Sequence, residues 1–120
     1  MAHCDQGYLC DVCGDEVPSI SDSDLYLRFV TGRLPAKSLL ATPERHIRCN
    51  PIDAQFIEHA DFEPVIVSGD FSKDAQDPEV VARQVELLTR GWVRLQELTR
   101  QNPPIPIAEY PLPEFRNTAR

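Results

Sequence analysis

The chain has 120 residues, a length that fits one domain with a modest hydrophobic core. Its 42% hydrophobic and 26% charged residues are ordinary for a soluble globular protein. A formal net charge of -7 leaves it without the basic surface that drives non-specific binding to nucleic acids.

No stretch approaches the roughly 18–20 consecutive apolar residues that cross a bilayer, and the N-terminus has no basic region followed by an apolar one. We therefore expect a cytoplasmic protein without a membrane partner. In a reducing compartment, four cysteines at the spacings found here favour metal ligands over two disulfides.

The first half of the chain predicts an ordered loop and two short helices. Residues 1–17 lack periodicity and hold three of the four cysteines, which indicates a loop built around a metal ion. Capping side chains at 21–24 and apolar residues at helical spacing predict a helix over 23–32. A capping asparagine followed by proline predicts a second helix over 51–59.

The run Pro64-Val65-Ile66-Val67 is apolar and β-branched and ends at a Ser-Gly-Asp turn signal, so it predicts one buried strand. Its partner would come from the cysteine loop or from residues 36–40. These segments together predict an α+β fold with a small antiparallel sheet.

The strongest helix signal covers 78–101. It opens on a cap, a proline and an acidic residue at 77–79. Glu86 and Arg90 lie four residues apart on its outer face and are predicted to pair. An apolar stripe at alternating spacings of four and three predicts the buried face, Trp92 included: Val81, Val85, Leu88, Trp92 and Leu95.

Residues 102–120 cannot continue that helix, because five prolines fall within 103–113. They predict an extended tail of the polyproline kind. Its apolar content is too high for a solvated tail, so we expect it to pack on the domain over 1–101 or on a neighbouring subunit.

Four residues form a metal-site motif. Two residues separate Cys10 from Cys13, and His46-Ile47-Arg48-Cys49 repeats that gap. Structural zinc takes four thiolate or imidazole ligands, and this gap lets a tight turn present both members of a pair to one ion. Gly14 can take positive φ and turn backbone N–H groups toward the sulfurs. The motif predicts one closed, structural Zn²⁺ site.

These pairs resemble those of zinc-ribbon and treble-clef zinc-binding domains, over residues 10–14 and 46–50 only. The resemblance implies a site that organises the fold and supports contacts to protein or nucleic acid, without chemistry at the metal. Two departures are His46, where the group usually has cysteine, and the 32 residues between the pairs. A helix beginning directly after the second pair favours the treble-clef geometry.

Three alternatives to this assignment stay open. Cys4 could replace His46 as the fourth ligand. An iron site of the rubredoxin type would prefer four thiolates. A redox-active CxxC would stand at the start of a helix, whereas residues 13–18 do not begin one.

The sequence predicts no catalytic residues, because it shows no phosphate-binding loop, nucleophile elbow or specific carboxylate pair. His59 is predicted to be a surface or capping histidine. The favoured function is a non-enzymatic, zinc-stabilised module that binds a protein partner or forms a homodimer. The alternative is a regulatory zinc protein associated with nucleic acid. A local set of basic residues supports it: Arg28, Arg33, Lys37, Arg45 and Arg48.

Overall fold

A computed structural model describes residues 8–101 and 105–116. These residues are α-rich and form three α-helices: α1 (Asp24–Val30), α2 (Pro51–Ala54) and α3 (Pro78–Thr99). Short 3₁₀ turns lie before, between and after the helices: Ile20–Asp22, Ala36–Ser38, Ile47–Cys49, Lys73–Ala75, Ile107–Glu109 and Pro113–Phe115. None of the helices within the described residues combines the length and the apolar character needed to span a membrane.

The core forms where α1 packs on the second half of α3. Nearly every side chain of α1 is buried, with Leu27, Phe29 and Val30 fully inaccessible. The facing stripe on α3 is the predicted one, shifted toward its C-terminal end: Leu88, Trp92, Leu95 and Leu98 are buried. The predicted core position of Trp92 is confirmed.

Local signals in the sequence predict the position of the long helix accurately. It begins at Pro78, as predicted, and ends at Thr99, two residues before the predicted end. The Asp77 side chain caps it by accepting a hydrogen bond from the backbone N–H of Glu79, at 3.1 Å. The start of the helix depends on residues adjacent in the chain, which is why the sequence alone could place it.

The second helix is shorter than predicted, Pro51–Ala54 instead of 51–59. After Ala54 the chain turns more tightly, because the backbone N–H groups of Phe56 and Ile57 donate to carbonyls three residues back, Asp53 at 3.0 Å and Ala54 at 3.1 Å. The backbone N–H of Glu58 then donates to the Thr89 hydroxyl at 2.9 Å and not to a carbonyl of its own helix.

The predicted buried strand at 64–67 is wrong, and the small antiparallel sheet is not shown. Within the described residues the only ladder is two residues long on each side, pairing Tyr8–Leu9 with Glu16–Val17. Ile66 is 84% exposed. The predicted partners are occupied elsewhere, since the cysteine loop closes on itself and Ala36–Ser38 forms a 3₁₀ turn.

The described part of the tail, residues 105–116, lies on its own chain. Leu112 is buried, and its backbone N–H donates to the Val30 carbonyl at 3.0 Å. Two 3₁₀ turns interrupt the extended run that its prolines predict. Arg90 pairs with Glu114 through two hydrogen bonds of 2.7 and 2.8 Å, and Glu86 acts on it only through its charge and not as a hydrogen-bonded partner.

Candidate metal centre

The structure brings the four predicted ligand residues together. One ligand atom each from Cys10, Cys13, His46 and Cys49 lies within 4.8 Å of all the others. His46 Nδ1 is 3.3 Å from Cys13 Sγ and 3.7 Å from Cys49 Sγ. Metal–ligand bonds of about 2.0–2.3 Å at tetrahedral angles put ligand atoms roughly 3.3–3.8 Å apart. These two separations agree with a tetrahedral ion, and the Cys₃His cluster could hold a metal ion.

The first pair sits on a tight hairpin. Cys10 and Asp15 close its base through an N–H to carbonyl bond of 2.8 Å, and the backbone N–H of Gly14 donates to the Cys10 carbonyl at 2.9 Å. Gly14 has φ +81°, as its place after the second cysteine predicts. The backbone N–H of Val12 points at Cys10 Sγ at 3.4 Å. The hairpin buries Cys10 and leaves Cys13 exposed.

The second pair sits on the 3₁₀ turn Ile47–Cys49, which immediately precedes α2. The turn is anchored by Ile47, which is buried in the core. Asn50 does not cap α2 with its side chain, contrary to the prediction. Its amide instead donates to Asp24 Oδ1 at 3.1 Å and to Asp53 Oδ2 at 3.2 Å, which ties the metal turn to the start of α1.

A backbone carbonyl orients the imidazole. His46 Nε2 is 2.8 Å from the Glu16 carbonyl, which can only accept, so Nε2 carries the proton. Nδ1 is then the unprotonated nitrogen in the neutral ring, and it faces the two thiols. Metal-binding histidines are commonly held in this way by a second hydrogen bond. Sequence reasoning could not find this contact, because any residue at position 16 offers a carbonyl.

The electrostatics of the sulfurs favour a cation. Burial raises the pKa of Cys10, but backbone N–H groups of Cys13, His46 and Val12 outweigh it and lower that pKa to about 6. Burial, with hydrogen bonds to the neighbouring sulfurs, raises the pKa of Cys49 to about 12. A thiolate at one cysteine therefore disfavours ionisation of the next. Three thiolates this close together need a positive ion among them.

The pKa of His46 lies above its ordinary value. Burial disfavours the charged ring, but the Glu16 carbonyl and the Cys10 side chain favour it more strongly. A proton on Nδ1 would compete with a metal ion, so metal binding at this ring releases a proton.

Direct contacts also join the two halves of the site. Arg45 makes two hydrogen bonds to the Asp11 carboxylate, at 3.0 and 3.2 Å, and these contacts lower the pKa of Asp11. The backbone N–H of Asp11 donates to the Glu44 carbonyl at 2.9 Å. The buried Glu44 carboxylate accepts from the Ser23 hydroxyl at 2.6 Å, and Ser23 caps α1. Contacts among three segments of the chain therefore hold the ligand residues in place.

The remaining sequence candidates lie away from this centre. Cys4 lies outside the described residues. His59 is exposed and accepts a hydrogen bond at Nδ1 from the backbone N–H of Asp61, at 3.0 Å, which confirms the surface prediction.

The predicted basic set is largely neutralised. Three of its members form ion pairs within the chain: Arg28 with Asp24, Arg33 with Asp53 and Arg45 with Asp11. A fourth, Arg48, stacks over the Phe62 ring, 4.3 Å from its centroid.

No protein-family model matches the chain, and comparisons with curated proteins and with solved structures found no significant match. The likeness to zinc-ribbon and treble-clef domains therefore rests on the ligand residues and their arrangement alone.

Proposed function

We propose that Cys10, Cys13, His46 and Cys49 bind one Zn²⁺ as a structural ion. The supporting observation is the convergence of three sulfurs and one correctly oriented imidazole nitrogen within 4.8 Å. Three thiolates and one imidazole form a standard ligand set for structural zinc, whereas rubredoxin-type iron prefers four thiolates. Four protein ligands fill a tetrahedral ion, so water has no place on the metal to become a nucleophile.

The ion would act by joining distant parts of the chain. It would connect a hairpin at 10–13 to the turn that leads into α2, across the 32 intervening residues. Structural zinc in small domains contributes about 10 kcal/mol or more of apparent folding free energy near neutral pH. A reducing compartment such as the cytoplasm, which we propose as its location, keeps the three thiols available.

The proposed role of the assembled domain is non-enzymatic binding of another protein. Two apolar side chains on the first hairpin, Leu9 and Val12, are 65% and 58% exposed on either side of Cys10. Exposed apolar groups on a hairpin fixed by a metal offer a preformed contact surface.

Association with nucleic acid is the less favoured role. The resemblance of the ligand pairs supports it, but the net charge of -7 and the internal pairing of Arg28, Arg33 and Arg45 oppose it. A shift of labelled nucleic acid that weakens steeply with salt would favour this alternative over the protein-binding role.

Metal analysis tests the site. Elemental mass spectrometry of freshly purified protein should find about one zinc per chain in the wild type and much less in His46→Ala. The matched control His59→Ala removes an exposed imidazole outside the centre and should keep its zinc. Co²⁺ in place of zinc should give the strong visible absorption of a tetrahedral thiolate site.

Two results would overturn this assignment. One is wild-type protein without zinc, and the other is His46→Ala that holds zinc as tightly as His59→Ala does. Cys4→Ser completes the set, because loss of zinc from that variant alone would make Cys4 the fourth ligand.

A further inference from the structure

A groove runs beside the first turns of α3, away from the metal centre. Its volume is about 590 Å³, which is within the range of ligand-binding clefts. One wall is the apolar side of the helix, made by Pro78, Val81, Ala82 and Val85. The opposite wall is the segment around the 3₁₀ turn Lys73–Ala75.

The helix wall is left largely uncovered by the other described residues. All fully buried residues of α3 fall between Leu88 and Leu98, so residues 78–87 contribute none. Val81 and Val85 are partly buried, and Val80 beside them is 37% exposed. Three turns of a long amphipathic helix therefore present apolar side chains that the described residues only partly cover.

The opposite wall is held rigidly by Gln55, which is only 2% exposed. Its side-chain oxygen accepts from the backbone N–H of Lys73 at 2.8 Å, and its side-chain nitrogen donates to the Phe71 carbonyl at 2.8 Å. Gln76, which lines the groove, also donates to that carbonyl at 3.1 Å. These hydrogen bonds hold the backbone of Phe71, whose side chain is 67% exposed.

The rim of the groove is acidic. Its single cation, Lys73, is already bound to Glu58 at 2.7 Å and to the Gln55 carbonyl at 3.0 Å. Asp74 and Glu86 also line the groove, and neither has a hydrogen-bonded ion-pair partner within residues 8–101 and 105–116. Glu86 interacts with Arg90 only through its charge, while Arg90 is hydrogen-bonded to Glu114. The surplus charge attracts a basic partner and repels a second copy of a chain with net charge -7.

We propose that this groove is the docking site for a basic amphipathic helical segment of another protein. Apolar side chains of that segment would pack on Val81, Ala82 and Val85. Its Lys and Arg side chains would face Asp74 and Glu86. A helix laid in an apolar groove and anchored at spacings of three and four residues is a common recognition mode. The inference rests on the proposed role as a protein-binding module and names the chemistry of the partner.

The test uses the full zinc-loaded chain and a defined probe, a fluorescein-labelled amphipathic peptide of leucine and lysine, about 18 residues long. Fluorescence anisotropy at low salt should show saturable binding, and amide NMR shifts should cluster over residues 71–86. An otherwise identical peptide with glutamate for lysine should not bind. The double substitution Asp74→Lys with Glu86→Lys should weaken binding at least about tenfold.

The matched control carries the same change in net charge elsewhere. Asp61→Lys with Glu109→Lys alters two exposed acids that do not line the groove, and it should change affinity less than about threefold. A further variant, Ala82→Arg, fills the groove from an exposed helix position and should abolish binding.

Several outcomes would overturn the docking site: equal loss of affinity in both double variants, NMR shifts centred elsewhere, or tight binding of the glutamate peptide. Concentration-dependent dimerisation that Ala82→Arg abolishes would assign the groove to a second copy instead. Zinc measured in the same samples separates the two proposals. Lost peptide binding with one zinc per chain refutes only the groove, and peptide binding without zinc refutes only the metal site.

Discussion

Gly91 of α3 lies against the C-terminal end of α1, and Gly91→Ala tests how tightly the two helices pack. A Cβ at this position would lie 2.5 Å from Thr31 Cγ2 and 3.1 Å from Leu27 Cδ1. Both neighbours are buried, and Thr31 cannot readily turn away because its hydroxyl donates to the Leu27 carbonyl at 2.7 Å.

Two opposing effects decide the magnitude. Alanine is favoured over glycine inside a helix by about 1 kcal/mol. Carbon atoms normally approach to about 3.5–4.0 Å, so the new methyl group overlaps Thr31 Cγ2 by roughly 1 Å. Overpacking of a close-packed core costs about 1–3 kcal/mol. We expect Gly91→Ala to lower the free energy of unfolding by about 1 kcal/mol net.

Urea denaturation with saturating zinc measures this change. Ala82→Gly, at an exposed position of the same helix, reports helix propensity alone and should cost about 1 kcal/mol. Thr31→Ser removes the clashing Cγ2 and keeps the hydroxyl. In the double variant Gly91→Ala with Thr31→Ser, we expect a favourable coupling of about 1 kcal/mol or more. Stabilisation by Gly91→Ala alone, or zero coupling, would refute the packing argument.

Three further predictions concern the metal hairpin and the start of α1. Gly14 and Gly69 both have positive φ with open space around them, so Gly14→Ala and Gly69→Ala should each lower the free energy of unfolding by about 1 kcal/mol. Only Gly14→Ala should also weaken zinc binding in a chelator competition. Ser23→Ala removes the cap of α1 and a hydrogen bond to buried Glu44, and should lower the free energy of unfolding by about 2 kcal/mol; a loss too small to measure would contradict that account. Burial raises the pKa of Asp24, so the folded protein binds this proton more tightly and its stability falls as pH rises from the carboxyl's ordinary pKa through the raised one. As pH rises across this range, Asp24→Asn should become increasingly stable relative to wild type. A difference in unfolding free energy that stays constant with pH would contradict the titration of Asp24.

The sequence by itself determined the parts of this protein that depend on neighbours along the chain. The cap, proline and acid at 77–79 and the apolar stripe behind them predict α3, because helix initiation and amphipathicity are local properties. The repeated two-residue gap likewise indicates Cys10, Cys13, His46 and Cys49, since each pair needs only its own turn to present two ligands.

Tertiary structure decided what joins those parts. The carbonyl that orients His46 comes from residue 16, and the hydroxyl that diverts the chain after α2 comes from residue 89. The run at 64–67 has the composition of a strand, but it pairs with no strand among the residues that the structure describes. Arg90 likewise pairs across to Glu114 of the tail instead of along its own helix. Such contacts depend on which distant groups the packing of α1 on α3 brings within reach, and no local pattern in the chain encodes that distance.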